Sequence, residues 1–308
     1  MSQIEDPMSR PNSSGQSTRS HIERAHTGGP GALSGLWAAM RFLLPVGRIE
    51  DGNAASFGGA PNWFLVLGIL TGLAWAGLFK GTWRLFGEIG TIRVIPPLAV
   101  VLMECLITGP FLALGLARTI HLLTGARPRQ AALDLSAPLS PVGTLVICLT
   151  VLTSWVLITS IPQGTQWWPS YDDWRYHLRR FYAAPIYRPL LLAPIWGRWA
   201  ILLAATVGRT LPSADRATHA LAASMRPGKL LTLAIPPLAL TSIYMSKGGN
   251  YITGIIVGLL VFVIAYLVSV IMARRGGGQT RQSLYAVGQI GQLAFLALYR
   301  LFWPLIHG

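Results

Sequence analysis

The stretch LITGPFLALGLARTIHLLTG, residues 106–125, decides how the rest of the chain is interpreted. Eleven of its first twelve residues are apolar or glycine, with Thr108 as the exception, which is typical of a membrane helix. Three polar residues, Arg118, Thr119 and His121, then follow within four positions. The pattern indicates a spanning helix whose end carries either ordinary boundary residues or an active site.

Composition places most of the chain in lipid. Of its 308 residues, 52% are hydrophobic and 12% are charged, and the mean hydropathy is +0.49. A soluble domain carries about 25% charged residues. We therefore expect an integral membrane protein whose main partner is the lipid bilayer.

The chain is strongly basic, with a net charge of +14 and a pI near 10.7. In a soluble protein this balance would indicate nucleic acid as a partner. Here the cations lie between apolar runs and do not form one basic face, so membrane topology and anionic headgroups explain them better. We predict no nucleic-acid partner.

The first 33 residues differ in character from the rest. Residues 1–33 are rich in Ser, Arg, Gly and Pro and contain few large apolar side chains. Such a segment buries too little apolar surface to offset its ordering entropy, so we expect a disordered tail. It contains no apolar h-region, so we do not expect a signal peptide. Residues 34–308 are expected to form a single membrane-embedded helical domain.

Seven apolar runs follow, each close to the roughly 17–25 residues that a helical span requires. They cover residues 62–79, 94–117, 142–161, 189–207, 230–246, 251–273 and 284–306. The run at 230–246 is the shortest and contains two adjacent prolines. The segment 36–48 is shorter still and amphipathic, so it is expected to lie at the membrane interface. The predicted fold class is an all-α polytopic membrane helix bundle of about seven transmembrane helices.

Two charged residues lie in the middle of predicted spans, Glu104 in the second and Arg198 in the fourth. Charged groups inside a bilayer are costly and often functional. Two interpretations are open: Glu104 and Arg198 neutralise each other across the bundle, or Arg198 binds an anionic group. Gln289 and Gln292, three residues apart in the last run, are expected to hydrogen-bond another helix.

Common catalytic motifs are missing from the sequence. The patterns G-x-x-x-x-G-K-[ST], H-E-x-x-H and G-x-S-x-G do not occur, and no G-x-G-x-x-G follows a strand. The two cysteines, Cys105 and Cys148, exclude a disulfide framework and a thiolate zinc site. Beyond the tail region, the predicted inside loops contain two acids, Asp134 and Asp215, far apart in sequence. Since Mg²⁺ needs clustered oxygen ligands, these loops offer no magnesium site.

The longest predicted outside loop, 162–188, is rich in Trp, Tyr and Arg. Such rings sit well among lipid headgroups, so we expect an amphipathic helix lying in the interface. A ligand-binding lid is the alternative.

The opening stretch resembles the signature of the cobalamin synthase family (adenosylcobinamide-GDP ribazoletransferase), whose members are polytopic membrane enzymes. That signature has the form l-l-T-G-x-x-H-x-D-G-L-A-D-T-x-D-G. The matching residues are Thr108, Gly109, Gly115, Leu116, Ala117 and Thr119. Three more segments resemble the family in order along the chain: MRFLLPV (40–46), APIWGRWAILL (193–203) and GGGQTRQSLYAVGQIGQLAFLAL (276–298).

The sequence departs from the family pattern where the chemistry should lie. The resemblance implies that clustered acids at the cytoplasmic membrane face hold Mg²⁺ against a diphosphate while the ribazole hydroxyl attacks. The substituted positions are Leu112 for the histidine, Leu114, Arg118, His121 and Gln282 for aspartates, and Arg281 for a glycine. No nearby residue restores the ligands. We therefore predict no metal site and no other cofactor, and no catalytic residue can be assigned.

The resemblance implies transfer of the cobinamide-phosphate moiety from adenosylcobinamide-GDP to α-ribazole or its phosphate, with release of GMP. Because the acids are replaced, the sequence favours a degenerate or repurposed member of the family, a pseudoenzyme. One alternative is a non-catalytic membrane scaffold or anionic-ligand-binding subunit. Another is a small transporter, although no internal inverted repeat supports it.

An anionic ligand would be a phosphate-bearing small molecule or an anionic lipid, because arginine's fork suits phosphate. The predicted binding residues are Arg118, His121, Arg198, Arg209 and Arg281. Arg118 is expected to end the second span at the cytoplasmic face, with Arg198 lying deeper. Membrane-protein partners and a homo-oligomer both remain open.

The distribution of cations predicts the orientation. With the N-terminus inside, the inside segments carry 15 Lys and Arg residues and the outside segments carry 9. The positive-inside rule then places the N-terminus in the cytoplasm, with a bacterial inner membrane as the expected location. The loops 118–141, 208–229 and 274–283 should share the cytoplasmic side.

Cysteine accessibility tests this topology. In a chain whose two native cysteines are replaced by alanine, Ser136→Cys and Ser170→Cys should react with a membrane-impermeant maleimide from opposite sides, because one span separates them. Labelling of both positions from the same side would contradict the predicted orientation.

Overall fold

A computed structural model of the chain describes residues 32–44, 57–86, 93–107, 111–124, 139–162, 185–245 and 251–307. The helices in these ranges are α1 (Ala32–Leu43), α2 (Ala60–Phe86), α3 (Ile95–Ile107), α4 (Phe111–Thr124), α5 (Pro141–Ser160), α6 (Tyr187–Thr206), α7 (Arg216–Ser224), α8 (Pro227–Tyr244), α9 (Ile252–Gly276) and α10 (Arg281–His307). The β structure in the same ranges is one isolated bridge between Thr210 and Gln279. The predicted all-α fold class is confirmed.

Two expectations fall largely outside these ranges. Residues 1–31 of the predicted tail and residues 163–184 of the predicted outside loop are not among the described residues. Both expectations therefore stay predictions.

Local sequence explains where several helices begin and end. Ser140 precedes α5, and its Oγ accepts a backbone amide of the first turn at 3.1 Å, while Pro141 fills the first helical position. Asp215 caps α7 in the same way, with an amide at 3.1 Å from its carboxylate. α9 ends at Gly277, whose φ of +74° is the left-handed conformation that glycine adopts without strain.

α6 is the centre of the bundle. All of its residues from Tyr187 to Ala205 are buried except Leu191. α2 and α10 pack along it, and α8 and α9 contact it from a further side. The rings of Trp196 and Trp199 meet edge-on at 5.4 Å and are among the largest fully buried side chains. Because α6 is enclosed on all sides, its single internal cation, Arg198, is held in the middle of the protein.

Within the described ranges, four helices are long and apolar enough to cross a membrane: α2, α5, α6 and α9. α3 and α4 pass the same test together and count as a fifth span if the bent pair is one crossing. This is fewer than the seven spans that the apolar runs predict. The other two runs do form helices, α8 and α10, but prolines in the first and glutamines in the second lower their hydropathy. With 27 residues, α10 is about 40 Å long and could still reach across the hydrocarbon core.

The second predicted span, 94–117, is not one continuous helix. α3 ends at Ile107, α4 begins at Phe111, and the two helices are bent by 81°. The sequence between them is Thr-Gly-Pro, which contains the two residue types that most disfavour a helix interior. Since α4 continues to Thr124, Arg118 lies within a helix and does not end a span, which corrects the expectation from sequence.

The predicted interfacial segment, 36–48, overlaps α1, whose 12 residues are too few to span a membrane. Trp37 is 45% exposed, whereas Phe42 and Leu43 are buried against the bundle. One face of α1 therefore packs on the protein, and the other is available to the headgroup region.

Glycines let two helix pairs approach closely. A β-carbon at Gly72 of α2 would lie 2.4 Å from a carbonyl oxygen of α6, and one at Gly254 of α9 would lie 2.4 Å from a Cα atom of α8. These helices are in backbone contact, as small residues permit in membranes. The sequence patterns GILTG (68–72) and GIIVG (254–258) predict this packing, and the structure confirms it.

Replacing Gly72 by alanine should destabilise the bundle, because the new methyl group would force α2 away from α6. We expect Gly72→Ala to lower the free energy of unfolding by about 1–3 kcal/mol, measured in detergent by circular dichroism. Gly77→Ala is the matched control, since Gly77 lies on the same helix with nothing within 4 Å of the added carbon. The control should be neutral or stabilise by about 0.5–1 kcal/mol. Equal effects of the two substitutions would contradict this role for Gly72.

Candidate functional site

The signature-like segment forms α4, which packs against the first turns of α10. A β-carbon at Gly115 would lie 2.6 Å from Cβ of Tyr285 and 2.8 Å from the carbonyl oxygen of Gln282. The Thr119 hydroxyl donates to the Gly115 carbonyl at 2.7 Å. The residues between them are also buried: Leu116, Ala117 and Arg118. The glycine of the signature is therefore required for the contact between the two helices.

The residues at the signature's acidic positions lie on α4 and in the first turn of α10, and none of them is an acid. Leu114 is half-buried and Arg118 is buried. His121 lies in the last turn of α4, and Gln282 lies in the first turn of α10. Residues 108–109 are outside the described ranges. α4 itself contains no carboxylate.

Arg281, the first residue of α10, is bonded on several sides. Its Nε donates to the Tyr285 hydroxyl at 2.7 Å, and its Nη2 donates to the carbonyl oxygens of Arg41 and Phe42 at 3.2 and 3.0 Å. Its Nη1 lies 3.5 Å from the Asp215 carboxylate. The rings of Phe42 and Tyr285 flank the guanidinium, with centroids at 4.9 and 5.5 Å. This Arg281 clamp fastens the end of α1 and the start of α7 to α10.

The sequence does not identify Asp215 as a partner of Arg281. Its carboxylate also accepts the Thr218 hydroxyl, in addition to capping α7. An acid directly before a helix start is a recognisable cap signal in the sequence. Its pairing with Arg281 joins two loops that are distant along the chain, and no local pattern predicts such a contact.

The loop before α10 ties three helix ends together. The Gln279 side-chain amide donates to the carbonyl oxygens of Val207 and Ser269, each at 3.1 Å. Its backbone amide donates to the Arg209 carbonyl oxygen at 2.8 Å, and its own carbonyl oxygen accepts the backbone amide of Leu211 at 2.9 Å. Gly278 has a φ of +150°, and a β-carbon there would lie 2.9 Å from the Arg209 carbonyl oxygen. This Gln279 latch holds the ends of α6 and α9 beside the start of α10.

A buried polar triad lies where α3, α6 and α10 meet. The Gln292 amide donates to Glu104 Oε1 at 2.6 Å, and Arg198 Nη1 donates to Gln292 Oε1 at 3.3 Å. The three residues are 6% (Glu104), 1% (Arg198) and 0% (Gln292) exposed, and the two charges attract each other. Glu104 and Arg198 are therefore linked across the bundle through the Gln292 amide. The predicted interhelical role of Gln292 is confirmed.

Aromatic rings fill the space between α1, α4 and α10. The Phe111 ring stacks on Tyr285 with centroids 6.2 Å apart, and Tyr285 meets Phe42 edge-on at 5.5 Å. Phe42 in turn contacts Phe57 and Phe64. The start of the signature-like helix is therefore packed in an apolar cluster.

A comparison with protein families matches the cobalamin-5-phosphate synthase (CobS) family over residues 35–299. The chain belongs to the CobS family. The match spans most of the helical domain and includes α4, the Arg281 clamp and the polar triad. With its apolar helices, the chain is an integral membrane protein related to cobalamin synthesis. No curated protein and no solved structure matches the chain.

The Mg²⁺ that the CobS resemblance implies does not fit the described residues. Among them, no group of three or more His, Cys, Asp or Glu side chains could hold a metal ion. The described ranges contain two acidic side chains: Glu104 is bonded to Gln292, and Asp215 is bonded to Thr218 and Arg281. The positive charge of Arg281 beside Asp215 would also repel a second cation.

The predicted anion-binding residues lie in different environments of this CobS-family chain. Arg118 and Arg198 are buried, at 8% and 1% exposed. Arg281 is held in the clamp, and Arg209 is exposed in the loop after α6. His121 lies in the last turn of α4. A shared pocket would require Arg281 to leave its partners, so joint anion binding stays a prediction.

Gln292→Leu should destabilise the protein, because it removes both hydrogen bonds of the triad and separates two buried charges by apolar atoms. We expect a loss of about 1–2 kcal/mol in the free energy of unfolding, measured in detergent. The exchange variant Glu104→Gln combined with Gln292→Glu keeps one carboxylate and one amide, and brings the carboxylate next to Arg198. It should recover most of the lost stability. An exchange variant as unstable as Gln292→Leu would contradict the bridging role.

Proposed function

We propose that this chain is a non-catalytic or repurposed member of the CobS family, which keeps the membrane scaffold without the metal-dependent transfer. The family reaction, as the resemblance implies, joins adenosylcobinamide-GDP to α-ribazole or its phosphate and releases GMP. Breaking a diphosphate linkage requires that the charge on the phosphate oxygens is neutralised in the transition state. The residues of α4 and α10 do not meet that requirement with a metal ion.

The observation that carries the proposal is that the acidic positions of the signature hold Leu114, Arg118 and His121 on α4 and Gln282 on α10. Gly115 leaves no room for even one additional carbon atom, and the Phe111 ring stacks on Tyr285 at the start of the helix. A diphosphate with its metal ion needs a cleft lined by oxygen ligands. None of these four side chains supplies a carboxylate oxygen to such a cleft.

The Arg281 clamp supports the same conclusion. A guanidinium stands where the family pattern has a glycine, and it binds Tyr285, the end of α1 and Asp215. A metal ion would have to compete with this fixed cation for the Asp215 carboxylate. Electrostatic repulsion between the two cations makes that exchange unfavourable.

Anion binding is the second candidate function, and one feature of the polar triad favours it. Arg198 Nε is buried and has no hydrogen-bond partner within the described part of the chain. Leaving a buried donor unsatisfied is costly, so an additional acceptor in the bundle would stabilise it. A phosphate-bearing ligand offers acceptors that match the planar guanidinium fork.

Complementation tests whether the chain catalyses the family reaction. A bacterium that lacks cobalamin synthase, grown on cobinamide with lower-ligand precursor, should not grow when this chain is expressed, because the metal ligands are missing. A family member with the full acidic signature, expressed from the same vector, should restore growth. Growth supported by this chain would overturn the proposal.

A second measurement separates lost chemistry from poor expression. The chain should be present in the membrane fraction at the level of the positive control, as judged by immunoblot. Calorimetry of the purified protein with adenosylcobinamide-GDP should then give the same heat with and without Mg²⁺. Binding that depends on Mg²⁺ would show that oxygen ligands converge elsewhere in the chain, and would contradict the assignment.

A further inference from the structure

We propose that one end of the bundle binds anionic phospholipid headgroups through a basic rim. The rim is formed by Arg209 in the loop after α6, Arg216 at the start of α7, Arg226 at the start of α8 and Arg274 in the last turn of α9. All four side chains are exposed. Two of these residues, Arg226 and Arg274, belong to the ends of helices that carry lipid-facing surface.

Three connections place the rim residues at the same end of the protein. The Gln279 latch joins the loop after α6 to the loop after α9, and so holds Arg209 near the end of the helix that carries Arg274. The contact between Asp215 and Arg281 joins the start of α7 to the start of α10. Met225 and Arg226 alone separate α7 from α8. The rim is therefore one surface made from four elements.

The charge at this end is almost entirely positive. Within residues 207–229 and 273–283, the acid is Asp215, and its carboxylate already lies 3.5 Å from Arg281. The four rim arginines thus carry four positive charges that this stretch of protein does not neutralise with a carboxylate of its own. Like charges on one surface repel each other unless anions from outside approach them.

The surroundings of the rim favour lipid over a soluble anion. Ile271, one turn before Arg274, is 48% exposed, and Leu231 and Ile235, which follow Arg226, are each 62% exposed. These apolar side chains face the hydrocarbon region, so the arginines beside them lie at the level of the headgroups. There, an arginine can bury its stem in apolar surroundings and bond a lipid phosphate with its guanidinium. The predicted cytoplasmic position of these loops also places the rim at the more anionic leaflet.

None of the rim arginines takes part in the hydrogen bonds or ring contacts described between α4 and α10. Lipid binding by the rim therefore does not depend on that contact. The inference therefore goes beyond the proposed loss of catalysis. Either one can fail without the other.

Native mass spectrometry of the purified full chain in a neutral detergent can test the rim. Titration with phosphatidylglycerol should give tighter binding of the first lipid than titration with phosphatidylcholine. Arg226→Gln combined with Arg274→Gln should raise the Kd for phosphatidylglycerol by about fivefold or more, as expected for lost cations at a membrane surface. The Kd for phosphatidylcholine should be unchanged.

The matched control removes two cations from the opposite end. Arg84 in the last turn of α2 and Arg93 just before α3 are both exposed. Because α2 runs antiparallel to α6, both are far from the end of α6. Arg84→Gln combined with Arg93→Gln changes the net charge equally and should leave the Kd for phosphatidylglycerol unchanged. Equal losses in the two double variants, or equal affinity of the native chain for the two lipids, would overturn the proposal.

Inorganic phosphate separates a lipid site from a site for soluble anions. Added to the detergent-solubilised chain, phosphate should not produce a saturable rise in the midpoint of thermal unfolding. A saturable rise that disappears in the Arg226→Gln and Arg274→Gln double variant would mean that the rim binds free phosphate, which would overturn the lipid assignment.

Discussion

The amide of Gln292 links two opposite charges in the interior of a membrane protein, and three helices of the bundle meet at that contact. A charge at the centre of a bilayer costs several kcal/mol unless a partner compensates for it. Glu104 comes from α3, Arg198 from α6 and Gln292 from α10, so none of these helices can shift far without exposing a charge to apolar surroundings. To reach Gln292, α3 must penetrate to the middle of the bundle. The bend after it then directs α4 onto the first turns of α10.

The same packing explains why the family chemistry is hard to reconcile with this chain. In a cleft that holds a diphosphate, polar side chains must remain available to the substrate. Here Gly115 brings the backbones of α4 and α10 together, and the rings of Phe111 and Tyr285 stack. The Arg281 guanidinium donates hydrogen bonds to the end of α1 and pairs with Asp215. These contacts pack the signature-like helix and the start of α10 against the rest of the bundle.

Much of this architecture could be predicted from the sequence, because hydropathy and the cost of buried charge are local properties. All seven apolar runs contain helix, the residues of the triad stand out as polar positions in apolar surroundings, and the glycine patterns mark the close contacts. The break between α3 and α4 does not show in a hydropathy average over 20 residues, because the interruption is three residues long. Pro236, Pro237 and the glutamines of α10 lower the hydropathy of two of the seven runs, so four or five spans within the described ranges are apolar enough to cross by length and composition.

The candidate site was harder to predict, because its contacts join distant segments. A helical spacing places Gln292 on a face, but it does not say that the amide will lie between Glu104 and Arg198. The pairing of Asp215 with Arg281 depends on how two loops meet after the helices have packed. The sequence therefore marks Arg281 as unusual but does not show which groups the arginine binds.

The Arg281 clamp has a consequence for how such a chain can evolve. Returning this position to the glycine of the family pattern would free space beside Gln282, but it would also release the end of α1 and leave Asp215 without its cation. Introducing an aspartate at Arg118 would first place a carboxylate on a buried helix face, where a charge without a partner is costly. Each step toward the acidic signature is therefore unfavourable until the others have been taken. Arg281 is thus tied to the stability of the fold, and a chain in this state would gain the acidic signature only by way of less stable proteins.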